Sequence, residues 1–264
     1  MFPSFLFFFL PPAQRHACIL LPFGHHRPVM LKPVFSAGPG GRNRRCSIKR
    51  IVLPVVYFLL LSAQTTASTL AQHFTYLEKT GDETTVFKWE LHEGNAVVIT
   101  SRQEGSRFLN ICRHDGATIK WHFQEQSGTD ITAHRRKNTI FISGIRDGKR
   151  VDRTTEIDDL PWYQPLSFSL RALPTSKNRK KTFWTIRQDS LEAVKMEAVV
   201  KGKEKIEING RWENTIKIEI HPAGFFSSFW HAHYWFRPAD LVFVQYRGVH
   251  GLPGTPATTV SLKN

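Results

Sequence analysis

Disulfide chemistry is almost closed to this chain. It has three cysteines in 264 residues, Cys18, Cys46 and Cys112. Only Cys112 lies beyond residue 67, so a chain trimmed there forms no internal disulfide and depends on a packed core. Acidic side chains are missing from residues 1–67, which carry 8 of the 36 Lys and Arg. The formal charge of +14 therefore falls to +6 for residues 68–264. That is mildly basic and no footprint for nucleic acid. Catalytic frames are missing too: there is no Gly-x-Gly-x-x-Gly, no phosphate-binding loop and no Gly-x-Ser-x-Gly. Asp158 and Asp159 are adjacent and do not face each other as an acid/base pair would. No catalytic residue and no cofactor are assigned, and an enzyme is the third-ranked class.

What is present first is a secretory pattern that begins late. Arg44 to Arg50 is a basic n-region, Ile51 to Ala63 is apolar, and Thr65-Thr66-Ala67 places small residues at a cleavage site. The apolar stretch is about 13 residues with Pro54 inside it, too short for the about 20 of a spanning helix. No cysteine follows it for lipid attachment. Residues 44–67 are therefore expected to be a signal peptide, directing residues 68–264 to the periplasm or the exterior as one domain. Residues 1–43 show neither helical nor strand periodicity. Two accounts fit them: a start assigned too far upstream, with translation beginning at Met30 or later, or a long natural leader.

Residues 68–264 alternate apolar and polar with period 2. Phe87, Trp89 and Leu91 share one face; so do Ile119, Trp121 and Phe123; so do Val194, Met196 and Ala198, and Ile216, Ile218 and Ile220. Half-buried antiparallel strands have this signature. Turn signals separate them, including Asp147-Gly148, Asn209-Gly210, Asp115-Gly116 and Lys201-Gly202-Lys203. About a dozen strands in a meander follow. One interruption, Asp158-Asp159-Leu160-Pro161-Trp162, resembles a helix start. Trp162, Leu166 and Leu170 would then form one stripe of a helix around 159–171, limited by Pro165. The predicted fold is mainly β: a single curved antiparallel meander, open or half-barrel, with this short helix on its apolar face.

Five residues are candidates for contact with an apolar ligand between helix and sheet: Trp162, Leu166, Phe226, Trp230 and Tyr234. The aromatic run 225–236 also reads as plain core. His231 and His233 project from one face of a strand and are weak metal candidates, with His221 or His250 as a third ligand; the alternative is two imidazoles on the wet face. Arg135, Arg136, Arg179, Lys180 and Lys181 lie in basic clusters at predicted turns. They are solvated loops or a weak contact for an anionic membrane surface. Cys112, in a predicted strand, is expected to be buried and inert.

The stretch Tyr234-Trp235-Phe236-Arg237, then Asp240 to Gly248, then Gly251-Leu252-Pro253-Gly254-Thr255-Pro256, resembles the ending of an uncharacterised family of exported, β-rich bacterial proteins. The match covers roughly residues 230–262; upstream, only the strand rhythm and Pro161-Trp162-Tyr163 agree. The resemblance implies a last strand over 257–262 and an envelope location, and supplies no activity. At fold level the expected architecture is also similar to the periplasmic lipoprotein carriers, whose curved sheet holds acyl chains. Two functions follow. One is an envelope protein binding an apolar ligand or lipidated partner; the other is an interaction module for another envelope protein with a merely filled core. An apolar pocket of about 300 Å³ would favour the first, a filled interior the second.

Overall fold

The computed structural model describes residues 71–224, 230–249 and 256–263. The signal-peptide and leader expectations, Phe226 and His250 lie outside the described residues. The strands are β1 (Ala71–Thr80), β2 (Glu83–Glu93), β3 (Val97–Gln103), β4 (Ser106–Cys112), β5 (Thr118–Glu125), β6 (Asp130–Arg136), β7 (Thr139–Arg146) and β8 (Lys149–Glu156), then β9 (Lys180–Ile186), β10 (Ala193–Ile208), β11 (Arg211–Pro222), β12 (Ala232–Phe236), β13 (Phe243–Val249) and β14 (Ala257–Leu262). They form one antiparallel 14-stranded sheet, open rather than closed into a barrel, in the order β8 to β1 followed by β14 to β9.

All sequence neighbours except β8 and β9 pair, as in a meander, with one non-local join where β1 pairs β14. That join moves the sheet edges to β8 and β9, which are consecutive in the chain. The segment between them, residues 157–179, connects these edges and packs its apolar residues into the interior, and we call it the strap. A flat sheet of this width would hold its edges about 60 Å apart. Here Arg146 on β7 donates to the carbonyl of Gln188 (2.8 Å) and Arg153 on β8 to that of Ser190 (2.7 Å), just beyond β9. The sheet is therefore strongly curved.

Local rules explain most of the elements. Asp147-Gly148 and Asn209-Gly210 both adopt positive φ and close the β7–β8 and β10–β11 hairpins, as two-residue turns require. Lys201-Gly202-Lys203 is a correction: it is no turn but a bulge inside β10, where the register shifts between Val200 and Gly202. A second irregularity, between Ile111 and Cys112, breaks the alternation of β5. It buries Thr118 and leaves Ile119 41% exposed, against the sequence expectation, while Trp121 and Phe123 stay inside.

The helix is also shorter than expected. Only Leu166–Ser169 (α1) is α-helical, followed by a 3-10 turn at Leu173–Thr175. Pro165 is the reason: its ring clashes with the carbonyl four residues back, so a helix can begin after it but not run through it. Residues before it are extended instead. Trp162 makes a parallel bridge with Trp184 of β9, and Asp158 caps no helix. Its carboxylate accepts hydrogen bonds from Lys195 Nζ and Trp184 Nε1, both 2.6 Å, and these hold it down near a pKa of about 2.

Candidate functional site

The strap divides the interior into two apolar clusters. Around Trp162 gather Phe108, Trp121, Phe123, Ile131, Ile140, Ile142 and Ile186. This side is closed by hydrogen bonds. Thr118 N donates to Trp162 O (2.7 Å), and the Thr118 hydroxyl accepts from Gln164 N (2.9 Å). Gln164 in turn accepts from Trp162 Nε1 and Ile186 N and donates to Ile186 O. Ser169 Oγ donates to Gly116 O at 2.7 Å. Gly116 has φ +86°, and a Cβ on it would meet Ser169 Cα at 2.8 Å; glycine here serves both the turn and the close approach of α1.

Beyond Ser169 the strap changes character. Among the described residues, hydrogen bonds of residues 170–178 stay within the strap or reach only Lys180 next to it, and the strap rejoins the sheet at Arg179, whose carbonyl accepts from Val200 N at 2.8 Å. Arg171 approaches Glu93 at 3.7 Å, with both side chains partly exposed. Leu170 and Leu173 are held by packing against the second cluster, which contains β1–β3 and β10–β14 residues.

Under α1 in this second cluster lies a cleft lined by Tyr76, Phe87, Trp89, Ser167, Tyr234, Phe243, Tyr246 and Val260. Its rings interlock: Tyr76 stacks on Phe87 at 5.2 Å, and Tyr234 meets Tyr246 edge-on at 5.0 Å. The Tyr76 hydroxyl donates to Phe243 O at 3.0 Å. The enclosed volume is about 30 Å³, room for little more than a water molecule. Among the described residues this cleft is therefore filled in this state.

One rung of the sheet runs Glu78, Val260, Tyr246, Tyr234 and Ile218 across the concave face. The next runs Thr80, Thr258, Gly248, Ala232 and Ile220. Tyr246 leans over Gly248: a Cβ there would sit 2.2 Å from the tyrosine oxygen. Thr80 and Thr258 hydroxyls share a hydrogen bond at 2.7 Å. Glu78, 6% exposed, has no partner for Oε2 among the described residues, and burial pushes its pKa up to about 8. It carries a proton at neutral pH.

Of the sequence-selected residues, Tyr234 lines the cleft. Leu166 and Trp230 belong to the same cluster without lining it, and Trp230 Nε1 donates to Val249 O at 2.8 Å. Trp162 is fully buried in the other cluster and holds the strap. Sequence reasoning missed Tyr76, Phe243, Tyr246 and Glu78 as site residues. The signal was phase: Tyr76, Glu78 and Thr80 alternate on one face of β1, and an acid in an apolar phase stands out.

On the outer face, His233 Nε2 and His231 Nδ1 lie 3.4 and 3.8 Å from the two oxygens of Glu219, with the His221 and His231 rings 6.0 Å apart. Among the described residues no group of three His, Cys, Asp or Glu side chains is set to hold a metal. Arg135 is half-buried and turned to the strap: its guanidinium donates to Leu160 O (2.6 Å) and Asp158 O (3.1 Å), fastening it. Lys180 pairs with Glu197 at 2.6 Å, whereas Arg136, Arg179 and Lys181 are exposed. A larger open groove, about 520 Å³, follows the tips of β3–β6. Its walls are polar and of mixed charge, including Arg102, Arg107, Glu125 and Asp130, and do not suit an apolar chain. Cys112 is fully buried, its thiol pushed up to about 12 by burial.

No family model matches the chain, and no curated protein matches it in sequence. Among solved structures it is similar to a β-barrel-like protein of a domain of unknown function, DUF1849, from Brucella abortus, at 8% identity and a TM-score of 0.51, covering 74% of this chain and 95% of that one. The two share a fold. It also aligns with the hypothetical lipoprotein YmcC from Escherichia coli (10% identity, TM-score 0.34, 73% of this chain and 84% of that one). A third alignment is with an outer membrane lipoprotein-sorting protein domain from Vibrio parahaemolyticus (10% identity, TM-score 0.29, 74% and 83%).

Proposed function

We propose that this chain is a non-enzymatic binding protein of the cell envelope, exported by the signal at residues 44–67. Its ligand is an apolar chain, free or carried by a lipidated partner, taken between α1 and the concave face. The observation that carries this reading is the asymmetry of the strap. Through Ser169 it is hydrogen-bonded to β5, β6 and β9 and to the β4–β5 turn. From residue 170 to 178, among the described residues, Leu170 and Leu173 pack in the second cluster and the strap's one polar approach to the sheet is the weak Arg171–Glu93 pair, until Arg179 O accepts from Val200 N. Displacing that half would loosen the second cluster beside the cleft, whose own roof is Ser167 of α1, while the bonds through Ser169 hold. Tyr234, Tyr76, Phe87 and Trp89 then face the ligand, with Leu166 and Trp230 completing the wall and Trp162 holding the hinge. Ligand-induced opening is required, because about 30 Å³ admits no acyl chain in the closed state. Among the described residues no helix is long and apolar enough to cross a membrane. Contact with an anionic membrane surface would rest on Arg136, Arg179 and Lys181.

The filled interior favours a second reading, an interaction module whose core is only core and whose outer face meets another envelope protein. Native mass spectrometry of protein purified from its own host separates the two. A co-purifying lipid is the expected result. A bare mass, from protein that also fails to bind an added lauroyl chain, would leave the module.

A further inference from the structure

Resting on the cleft reading above, the geometry points to a polar end in the site: we infer that Glu78, with the Tyr246 hydroxyl and the Thr80–Thr258 pair beside it, recognises an uncharged hydrogen-bond acceptor on the ligand, the carbonyl of an ester or amide. Glu78 follows Tyr76 by two residues on the same face of β1 and stands directly across from Val260 of β14, and both neighbours line the cleft. Its Oε2 is buried and, among the described residues, unpartnered. A buried polar atom without a partner is rare and calls for a physical cause, and a ligand group is one that the adjoining cleft supplies. Being protonated, the carboxyl can donate, which suits a carbonyl oxygen and not another carboxylate. Gly248 belongs to the same device. Without a Cβ it lets Tyr246 lean over and bring its hydroxyl onto the Thr80–Thr258 rung, next to the one carrying Glu78. A free fatty acid would bring an anion into this desolvated corner, where no cation among the described residues acts on Glu78 and Arg237 reaches only as far as Tyr76, so the site selects the esterified or amidated chain.

The test compares methyl laurate, lauramide, laurate and dodecylamine on wild type, Glu78→Leu and Glu78→Gln, at neutral pH, with affinity read by calorimetry or tyrosine and tryptophan fluorescence. Wild type should bind methyl laurate and lauramide about tenfold more tightly than laurate. Glu78→Leu should lose about tenfold for those two probes and little for laurate, the worth of one hydrogen bond. Glu78→Gln, which keeps a neutral donor and nearly the same shape, should retain the preference and serves if the leucine variant does not fold. Equal affinity of wild type and Glu78→Leu for the ester, or loss of the preference in Glu78→Gln, would overturn the role of Glu78 while leaving an apolar cleft. Tightest binding of dodecylamine would overturn it in favour of an ion pair. Absence of binding for every probe would remove the cleft itself, and the inference with it.

Discussion

Around Trp162 the interior is sealed by directed bonds: Thr118, Gln164, Arg135 and Ser169 each tie the strap to the sheet. Around Tyr234 it is packed with rings under Ser167 of α1, with Leu170 and Leu173 in the same cluster and the buried Glu78 at one end. The two halves are equally dry. They differ in what opening costs. Hydrogen bonds to a buried partner are expensive to leave unmade, about 1–3 kcal/mol each, and there are several on the first side. An apolar lid over an apolar cleft can be replaced by an apolar ligand with little net change in buried surface. A binding device built on this fold would therefore open on the Tyr234 side.

The contrast can be broken from its firm side. Trp162→Ala should destabilise by about 3–5 kcal/mol, because a fully buried ring is removed from a packed cluster. Denaturant unfolding measures this, and a change below about 0.5 kcal/mol would mean that the strap is not anchored there. On the soft side the largest lever is Glu78. In the unfolded chain it ionises near 4.5, in the fold near 8. The folded state holds the extra proton between those values, so its stability is full below about pH 4.5, declines through the window and is lowest above about pH 8. Tyr76 and Tyr246, the titratable neighbours, are held protonated by burial throughout. Glu78→Gln should therefore gain about 2–4 kcal/mol at pH 8 and nothing at pH 4. An unchanged pH slope in unfolding experiments would show that the carboxyl is solvated.

Smaller effects refine the boundary between the halves. Gly116→Ala places a side chain in the left-handed region and against Ser169, and should cost about 2 kcal/mol. A lowered Tm with the cleft's ligand affinity retained would confirm that the β4–β5 turn belongs to the fastened side. Arg171→Ala removes a partly exposed pair at 3.7 Å and should cost less than about 0.5 kcal/mol. A cost above about 1.5 kcal/mol would mean that the second half of the strap is tied by charge after all.

How much of this was legible depends on range. Alternation placed Phe87, Trp89 and Leu91 inside, Asn209-Gly210 marked a hairpin, and β14 falls on the expected residues 257–262. The first two are local, decided within a few residues; the last strand was expected from the resemblance of the C-terminal stretch. The failures are also local but compete with a second rule. Pro165 overrode the stripe of Trp162, Leu166 and Leu170; a bulge at Gly202 took a turn-like sequence into a strand; another turned Ile119 outward. The cleft was illegible for a different reason. It exists because β1 pairs β14, which brings Tyr76 beside Phe243 and Glu78 beside Tyr246, about 170 residues apart in sequence. No periodicity announces that join. For the same reason Arg135 read as a free basic residue, when its partners are strap carbonyls 23 and 25 residues on.

The difference between the halves of the strap is most directly read by amide hydrogen exchange. The expected result is fast exchange by local opening over residues 170–178, slow exchange over 162–169 at the rate of the sheet, and altered protection confined to 170–178 and the cleft strands when methyl laurate is added. Exchange of both halves together, only on global unfolding and indifferent to the added chain, would contradict it.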